Sequence, residues 1–136
     1  MHTKATPVLT IDGPSGSGKG TIAARVAAKL GWHILDSGAL YRLAGYSASK
    51  KSIDFNDIES LVKNTSEMKV SFDHDAIHLD GEDVSLAIRT ETAGNMASKI
   101  AAIGAVRDAL LQWQRDYVQA PGLVADGRDM GTVVFP

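Results

Sequence analysis

The chain has 136 residues, a length that suits one domain. Apolar residues make up 44% and charged residues 22% of it, which is near the average for globular proteins and excludes a disordered chain. The net charge of −2 excludes a general electrostatic attraction to nucleic acid or to an anionic membrane, so an anionic ligand must be bound by local geometry.

The first predicted elements are a strand and a helix joined by a glycine-rich loop. Residues 8–12 are apolar and β-branched and stop at Gly13, which is typical of a buried strand. From Lys19 to Leu30 small and apolar residues recur at helical spacing, and Gly31 stands where a helix usually ends. These recurring positions are Ile22, Ala23, Val26, Ala27 and Leu30.

A second strand and two further helices are predicted next. Residues 32–35 resemble a short strand closed by Asp36, and Ser37 is a good N-cap for a helix that runs to about Lys50. A shorter helix is predicted over 54–64. The succession of strand, helix and strand opens a βαβ unit, which predicts an α/β fold with a parallel sheet.

Residues 66–88 change the pattern from helical spacing to alternation. The alternating apolar residues are Met68, Val70 and Phe72, followed by Ile77 and Leu79. A period of two with turn-forming residues between the runs predicts a small antiparallel sheet with one face in water. We expect this sheet to be inserted into the surrounding α/β chain.

Helical periodicity returns at 91–102, is interrupted at Gly104, and then resumes in a single apolar stripe. The stripe consists of Ile103, Val106, Leu110, Trp113 and Tyr117. Pro121 and Gly122 end this helix, and residues 123–126 predict another core strand.

Several kinds of chemistry are excluded by residue type. The chain has no cysteine, which removes disulfides, thiolate metal sites and cysteine nucleophiles. Its four histidines include no HExxH pair, so a metal site made of protein side chains alone is not expected. No signal peptide and no membrane-length apolar run is visible, and we expect a cytoplasmic protein.

The glycine-rich loop predicts a phosphate-binding site. Gly13, Gly18 and Lys19 have the GxxxxGK spacing of nucleotide-binding loops, with a predicted strand before them and a helix after them. Glycines let backbone N–H groups converge on an anion, the helix N-terminus adds its positive dipole end, and lysine reaches the terminal phosphates. The alternative is a flexible glycine-serine turn. The predicted ATP-binding residues are Gly13, Pro14, Ser15, Gly16, Ser17, Gly18, Lys19, Gly20 and Thr21.

Gly20 departs from the usual pattern of such loops. A Ser or Thr that ligates Mg²⁺ commonly follows the lysine, whereas here Thr21 comes one position later. No side chain is therefore assigned to the metal, which water and phosphate oxygens could hold instead.

Four segments together resemble bacterial cytidylate kinases: TIDGPSGSGKGT, LDSGALYR, LDGEDVSLAIRT and ADGRDMGTVVFP. The resemblance spans nearly the whole chain in the same order and spacing. It implies a P-loop kinase that transfers the γ-phosphoryl group of ATP to CMP and dCMP with Mg²⁺. It further implies a three-stranded insert in the monophosphate-binding region, no nucleic acid or membrane partner, and a monomer in the complete protein.

The resemblance also implies residues for the acceptor nucleotide. The acceptor phosphate would be held by Ser37, Tyr41, Arg42 and Arg128. Cytosine would be recognised by Ser98, Arg107 and Asp129. Without the resemblance, Ser37 is equally well an N-cap, whereas a position on a helix surface is the favoured interpretation of Tyr41, Arg42, Ser98 and Arg107.

Family members run well past 200 residues, and their remaining part supplies another strand and an arginine-bearing lid. We therefore expect a P-loop core over 1–65 and 89–136 whose sheet and lid are incomplete, with the insert at 66–88. A nucleotide-binding fragment without catalysis and another P-loop small-molecule kinase remain as alternatives.

Overall fold

The computed structural model of the chain describes residues 6–12, 19–72, 76–127 and 130–135. In chain order the elements are β1 (Val8–Asp12), α1 (Lys19–Leu30), β2 (His33–Asp36), α2 (Ser37–Lys50), α3 (Ile58–Glu67), β3 (Val70–Phe72), β4 (Ile77–Leu79), β5 (Glu82–Asp83), a 3₁₀ turn (Ala87–Arg89), α4 (Glu91–Ala101), α5 (Gly104–Asp116), β6 (Leu123–Gly127) and a π-helical turn (Met130–Val134).

The chain divides into two compact units. The first unit consists of Met1–Ser37 and Gln114–Pro136, and the second unit consists of Gly38–Trp113. The predicted division is a different one, because it separates the parallel sheet of a P-loop core from the small antiparallel sheet of an insert at 66–88. This division stays a prediction.

A parallel sheet forms the centre of the first unit, as predicted. Its strands lie in the order β1, β6, β2, with Val8 and His33 both opposite Leu123. All five residues of β6 are buried, because a central strand of a parallel sheet is covered on both faces. Three predicted strand bounds shift by one residue, since β2 begins at His33 and ends at Asp36, and β6 continues to Gly127.

Helix α1 packs on this sheet through its smallest residues. Ala23 and Ala27 are buried with Val124 of β6, and their short side chains let the helix approach the strands closely. Two residues of the predicted apolar positions do not join the core. Ile22 is 55% exposed and Leu30 is 48% exposed, so the buried face of α1 is narrower than its sequence pattern indicates.

Helix α3 begins later than predicted. The Asp54 carboxylate accepts a hydrogen bond from Asn56 N, and the Asp57 carboxylate caps the helix by accepting from Ser60 N. These aspartates stabilise a turn over part of the predicted helix, because short polar side chains compete for backbone amides. The helix then continues to Glu67, beyond the predicted end at residue 64.

The small antiparallel sheet of the second unit confirms the alternating pattern. Strands β3, β4 and β5 are neighbours in that order, with Val70 opposite Leu79 and His78 opposite Asp83. The hairpin between β4 and β5 turns at Asp80 and Gly81, both with positive φ. Asp-Gly is a preferred pair for such two-residue turns.

Two helices follow the sheet much as the periodicity predicts. Helix α4 ends at Ala101, and Gly104 starts α5 where the sequence indicated an interruption. Val106 and Leu110 are fully buried, and Trp113 donates its indole N–H to Met68 O at 3.0 Å. No helix in the described part of the chain has the length and apolar character that crossing a bilayer requires.

Candidate functional site

The carboxyl ends of the three parallel strands place several acidic side chains at one edge of the sheet. β1 ends at Asp12, β2 ends at Asp36, and β6 places Asp126 opposite Asp36 and Gly127 opposite Asp12. Ligands of open α/β sheets bind at this edge. The sheet therefore places its candidate site where the chain leaves β1 and β2.

The predicted phosphate-binding loop connects β1 to α1. Residues 13–18 lie outside the described residues. The strand and the helix predicted on its two sides are both present, since β1 ends at Asp12 and α1 begins at Lys19. Lys19 and Gly20 form the start of the helix, and Thr21 follows them with an exposed side chain.

Asp12 makes contacts that its sequence position did not indicate. Its Oδ1 accepts a hydrogen bond from Met130 N at 2.7 Å, and its Oδ2 accepts from Gly131 N at 3.2 Å. Both carboxylate oxygens are thus bonded to the backbone at the start of the π-helical turn. The sequence alone does not indicate a role for Asp12. Its one relevant feature there is that an acidic residue stands directly before the glycine-rich loop.

Ser37 is the first residue of α2 and lies at the same edge of the sheet. Its exposed fraction is 9%. A Cβ atom added to Gly127 would lie 2.8 Å from Ser37 Cβ and 2.8 Å from Met130 Sδ, so glycine is required for this close packing. Ser37 and Met130 therefore both lie against Gly127 at the end of β6.

Tyr41 and Arg42 lie on α2 in the second unit, and both are half-buried. Burial raises the pKa of the Tyr41 hydroxyl above its ordinary value, while the positive charge of Arg107 acts in the opposite direction. The structure therefore brings Tyr41 within electrostatic reach of Arg107, which links two residues that the sequence assigned to different tasks.

The Arg42 guanidinium is anchored to backbone carbonyls. Its Nη1 donates to Ile88 O at 2.9 Å and to Thr90 O at 3.3 Å. A Cβ atom added to Gly94 would lie 3.2 Å from Nη2, so the guanidinium packs against the first turns of α4. The two Nη1 hydrogens are engaged in this contact, which leaves the Nε and Nη2 edge as the group's other hydrogen-bonding side.

The predicted cytosine-reading residues of the second unit are exposed. Ser98 Oγ donates to Gly94 O at 3.2 Å within α4. Arg107 Nη1 donates to Ala101 O at 3.3 Å, at the carboxyl end of α4 where a positive charge is favourable. Arg128 and Asp129, assigned to the acceptor phosphate and to the base, lie outside the described residues. The assignments of all four stay predictions.

Metal-binding side chains are sparse in the described ranges. No group of three or more His, Asp or Glu residues there is arranged to hold a metal ion. Asp126 is 3% exposed and lies beside Asp36 by register, which gives one pair of carboxylates at the candidate edge.

Comparison with known proteins assigns the family. The family model described as cytidylate kinase matches residues 9–136. A cytidylate kinase of Ralstonia pickettii (strain 12J) is 60% identical over 130 residues, which cover 96% of this chain and 56% of the relative.

Two further relatives agree with this assignment. A cytidylate kinase of Ralstonia nicotianae is 58% identical over 97% of this chain and 57% of its own length. One from Pseudomonas putida is 56% identical over 96% of this chain and 60% of its own length. The chain thus spans somewhat over half the length of the curated relatives it matches. On the matched sequence and on the order of the strand and helix found above, the chain belongs to the cytidylate kinase family.

Proposed function

We propose that this chain is the nucleotide-binding part of a kinase that transfers the γ-phosphoryl group of ATP to CMP and dCMP, giving CDP and dCDP. The observation that carries the proposal is the sequence GPSGSGKGT of a cytidylate kinase family member, bounded by a strand that ends at Asp12 and a helix that begins at Lys19. Among the described strands, that strand lies at an edge of its sheet and has no fully buried residue, so its predicted burial was wrong. The proposal includes a cytoplasmic location, a task in pyrimidine nucleotide metabolism and, for the complete protein, a monomer.

ATP is held by the loop of residues 13–21 in this proposal. Backbone N–H groups of the loop and the N-terminus of α1 surround the β-phosphate, and the Lys19 ammonium contacts the terminal phosphates. Helix α1 supports this task because its first turn contains no acidic residue that would repel phosphate. Phosphoryl transfer from the bound ATP is in line and forms no covalent enzyme intermediate.

The acceptor phosphate is assigned to Ser37, Tyr41, Arg42 and Arg128. The contacts of Arg42 support its assignment, since its Nη1 is fixed by the carbonyls of Ile88 and Thr90. A guanidinium oriented in this way presents its Nε and Nη2 hydrogens together, and two parallel N–H groups match two phosphate oxygens. Arg42 thereby combines an anchored side with a phosphate-binding side.

Cytosine is assigned to Ser98, Arg107 and Asp129. A carboxylate accepts from the exocyclic amine of cytosine, and an arginine donates to its ring nitrogen and carbonyl. Uracil would place a carbonyl against the Asp129 carboxylate. A site built for such hydrogen bonds can reject an analogue that lacks them by about 10⁴-fold or more.

Mg²⁺ is the cofactor of the proposed reaction, and it neutralises charge on the β- and γ-phosphates when it is bound with ATP. The carboxylate pair of Asp36 and Asp126 suits this ion, which is usually held by one or two carboxylates together with phosphates and water. Catalysis by the chain itself consists of positioning, since the acceptor is already an anionic oxygen and needs no general base.

The test is a coupled assay with CMP, dCMP, UMP and AMP as acceptors. It is run on the 136-residue chain and on a hybrid in which the remaining segment of the Ralstonia pickettii relative follows residue 136. We expect the hybrid to favour CMP and dCMP, and Lys19→Ala to lower its kcat/KM for ATP by about 10²-fold. Lys29→Ala is the matched control, since Lys29 lies exposed in the last turn of the same helix.

Two outcomes would contradict the proposal in different ways. Unchanged turnover in Lys19→Ala would remove the assigned mechanism of the loop. ATP binding by both proteins without turnover of any acceptor would instead support the second candidate, a nucleotide-binding chain without catalysis.

A further inference from the structure

We propose that Asp12 is a positioning residue for the acceptor nucleotide. Its carboxylate fixes the backbone of Met130 and Gly131 and thereby supports binding of that nucleotide. The inference rests on the proposed function, because that function assigns Ser37 to the acceptor phosphate. Asp12, Ser37 and the turn at 130–134 all belong to the first unit.

The carboxylate of Asp12 holds two successive peptide groups. Its Oδ1 bonds Met130 N at 2.7 Å and its Oδ2 bonds Gly131 N at 3.2 Å. Hydrogen bonds to an ionised acceptor are stronger than those between neutral groups. Because each oxygen takes a different amide, the contact fixes the direction of this backbone as well as its distance from β1.

Gly131 allows this close approach. A Cβ atom at position 131 would lie 2.9 Å from Thr10 Oγ1 and 3.6 Å from Asp12 Oδ2. A larger residue would push the backbone away from β1 and lengthen the bonds to Asp12. Both partners of the contact are therefore suited to it, the carboxylate by its two acceptors and the glycine by its missing side chain.

Met130 transmits the position of the backbone to Ser37. The Met130 side chain is completely buried and packs against Gly127, where Ser37 Cβ also lies. An added methyl group at Gly127 would meet Met130 Sδ and Ser37 Cβ, each at 2.8 Å, so the two side chains flank the same glycine. A displacement of Met130 therefore changes the packing at Gly127 that Ser37 shares.

The main chain of Asp12 also pairs in the parallel sheet, and a substitution of the side chain would preserve this pairing. It continues the parallel ladder opposite Gly127. Removing the carboxylate therefore leaves the strand before the ATP loop in place and releases only the turn. On this basis we expect a larger effect on CMP binding than on ATP binding.

The experiment measures the Kd of CMP and of ATP by calorimetry in the hybrid protein, with Asp12→Ala and Asp12→Asn. We expect Asp12→Ala to raise the Kd of CMP about tenfold and that of ATP less than about threefold. Asp12→Asn keeps a single oxygen acceptor, so its Kd of CMP should lie between that of the unaltered hybrid and that of Asp12→Ala. In both variants the amide hydrogens of Met130 and Gly131 should exchange faster, and the thermal midpoint reports whether the variant is folded.

Asp57→Ala is the matched control. The Asp57 carboxylate also accepts a backbone amide, from Ser60 N at 3.2 Å, but it caps α3 in the second unit. This variant should leave both dissociation constants unchanged.

Three results would overturn the inference. An unchanged Kd of CMP in both Asp12 variants, with CMP bound by the unaltered hybrid, contradicts it alone. Equal losses of CMP and ATP affinity indicate a general structural task and also contradict it. Absence of CMP binding by the unaltered hybrid overturns the proposed function, and this inference with it.

Discussion

Arg42 illustrates how a side chain with a proposed binding role also makes structural contacts. Its Nη1 crosses from α2 to the carbonyls of Ile88 and Thr90, which come just before α4. A lysine would not combine this anchor with a second hydrogen-bonding edge, because its three N–H groups are all on one nitrogen, whereas the guanidinium has separate Nη1, Nη2 and Nε donors. The anchoring contact thus favours arginine at this position whether or not an anion is bound.

Tyr41 leads to a prediction about alkaline stability. Burial raises the pKa of its hydroxyl above the ordinary value of 10.0. Below that pH the folded and unfolded states both keep the Tyr41 proton, so the free energy of unfolding has its full value. As the pH rises through the folded pKa, the unfolded state releases its proton first and the free energy of unfolding falls.

The measurement is urea unfolding of the chain and of Tyr41→Phe between about pH 8 and pH 11. Phenylalanine has no proton to lose, so the variant should show a shallower fall over the alkaline half of this range. Equal slopes in the two proteins would mean that Tyr41 does not titrate differently in the folded and unfolded states.

At the scale of residues, the sequence suggests a role for a residue more readily than it predicts that residue's burial and contacts. Tyr41 and Arg42 were assigned to the acceptor by resemblance, yet their helical pattern alone favoured a pair on the surface, and the structure half-buries both. Asp12 could not be interpreted because the amide that it bonds lies 118 residues away. Local patterns carry no information on such distant partners.

Among the secondary elements, α4 has a well-defined start at Thr90. Thr90 Oγ1 accepts from Ala93 N at 3.1 Å, and its carbonyl accepts from both Arg42 and Gly94 N. A side-chain oxygen at this position satisfies an amide that the first helical turn leaves without a partner. The cap thereby stabilises the same segment that anchors Arg42.

This cap gives a prediction at the scale of the element. Thr90→Ala should lower the free energy of unfolding by about 1 kcal/mol, because the Ala93 amide loses its acceptor. Thr90→Ser keeps the oxygen and is expected to retain most of the stability. Both free energies can be measured by urea denaturation followed by circular dichroism. A serine variant as unstable as the alanine variant would show that the hydroxyl does not cap the helix.

Helix and strand existence followed from periodicity, whereas their bounds depended on polar side chains. The start of α3 was predicted too early because Phe55 continues the helical spacing of Ile58 and Leu61. The Asp54 and Asp57 carboxylates instead accept nearby backbone amides. Gly104 was read as an interruption and is the start of α5. In both cases turn or cap chemistry decided where the backbone became helical.

For the whole molecule, the exposed edge of the parallel sheet predicts self-association of the 136-residue chain. Within the described residues β1 pairs on one side only, with β6, and its Leu9 is 41% exposed. An unpaired strand with an exposed apolar residue can pair with another copy. A charged residue on such a strand opposes this pairing.

Sedimentation velocity of the unaltered chain and of Leu9→Lys provides the check. We expect oligomers in the first and a larger monomer fraction in the second. Leu86→Lys is the matched control, because Leu86 is 78% exposed but lies outside every strand, and it should not change the distribution. A monodisperse, cooperatively melting monomer of the unaltered chain would contradict the prediction.

The order of the strands also constrains when the first unit can form during synthesis. β1 and β2 are made early, but each pairs with β6, which begins only at Leu123. A ribosome that has translated as far as residue 122 has produced two strands with no ladder between them, and the sheet waits for the strand that separates them. The second unit, a continuous stretch of chain, is under no such delay, so translation itself sets which part of this molecule can acquire its native pairing first.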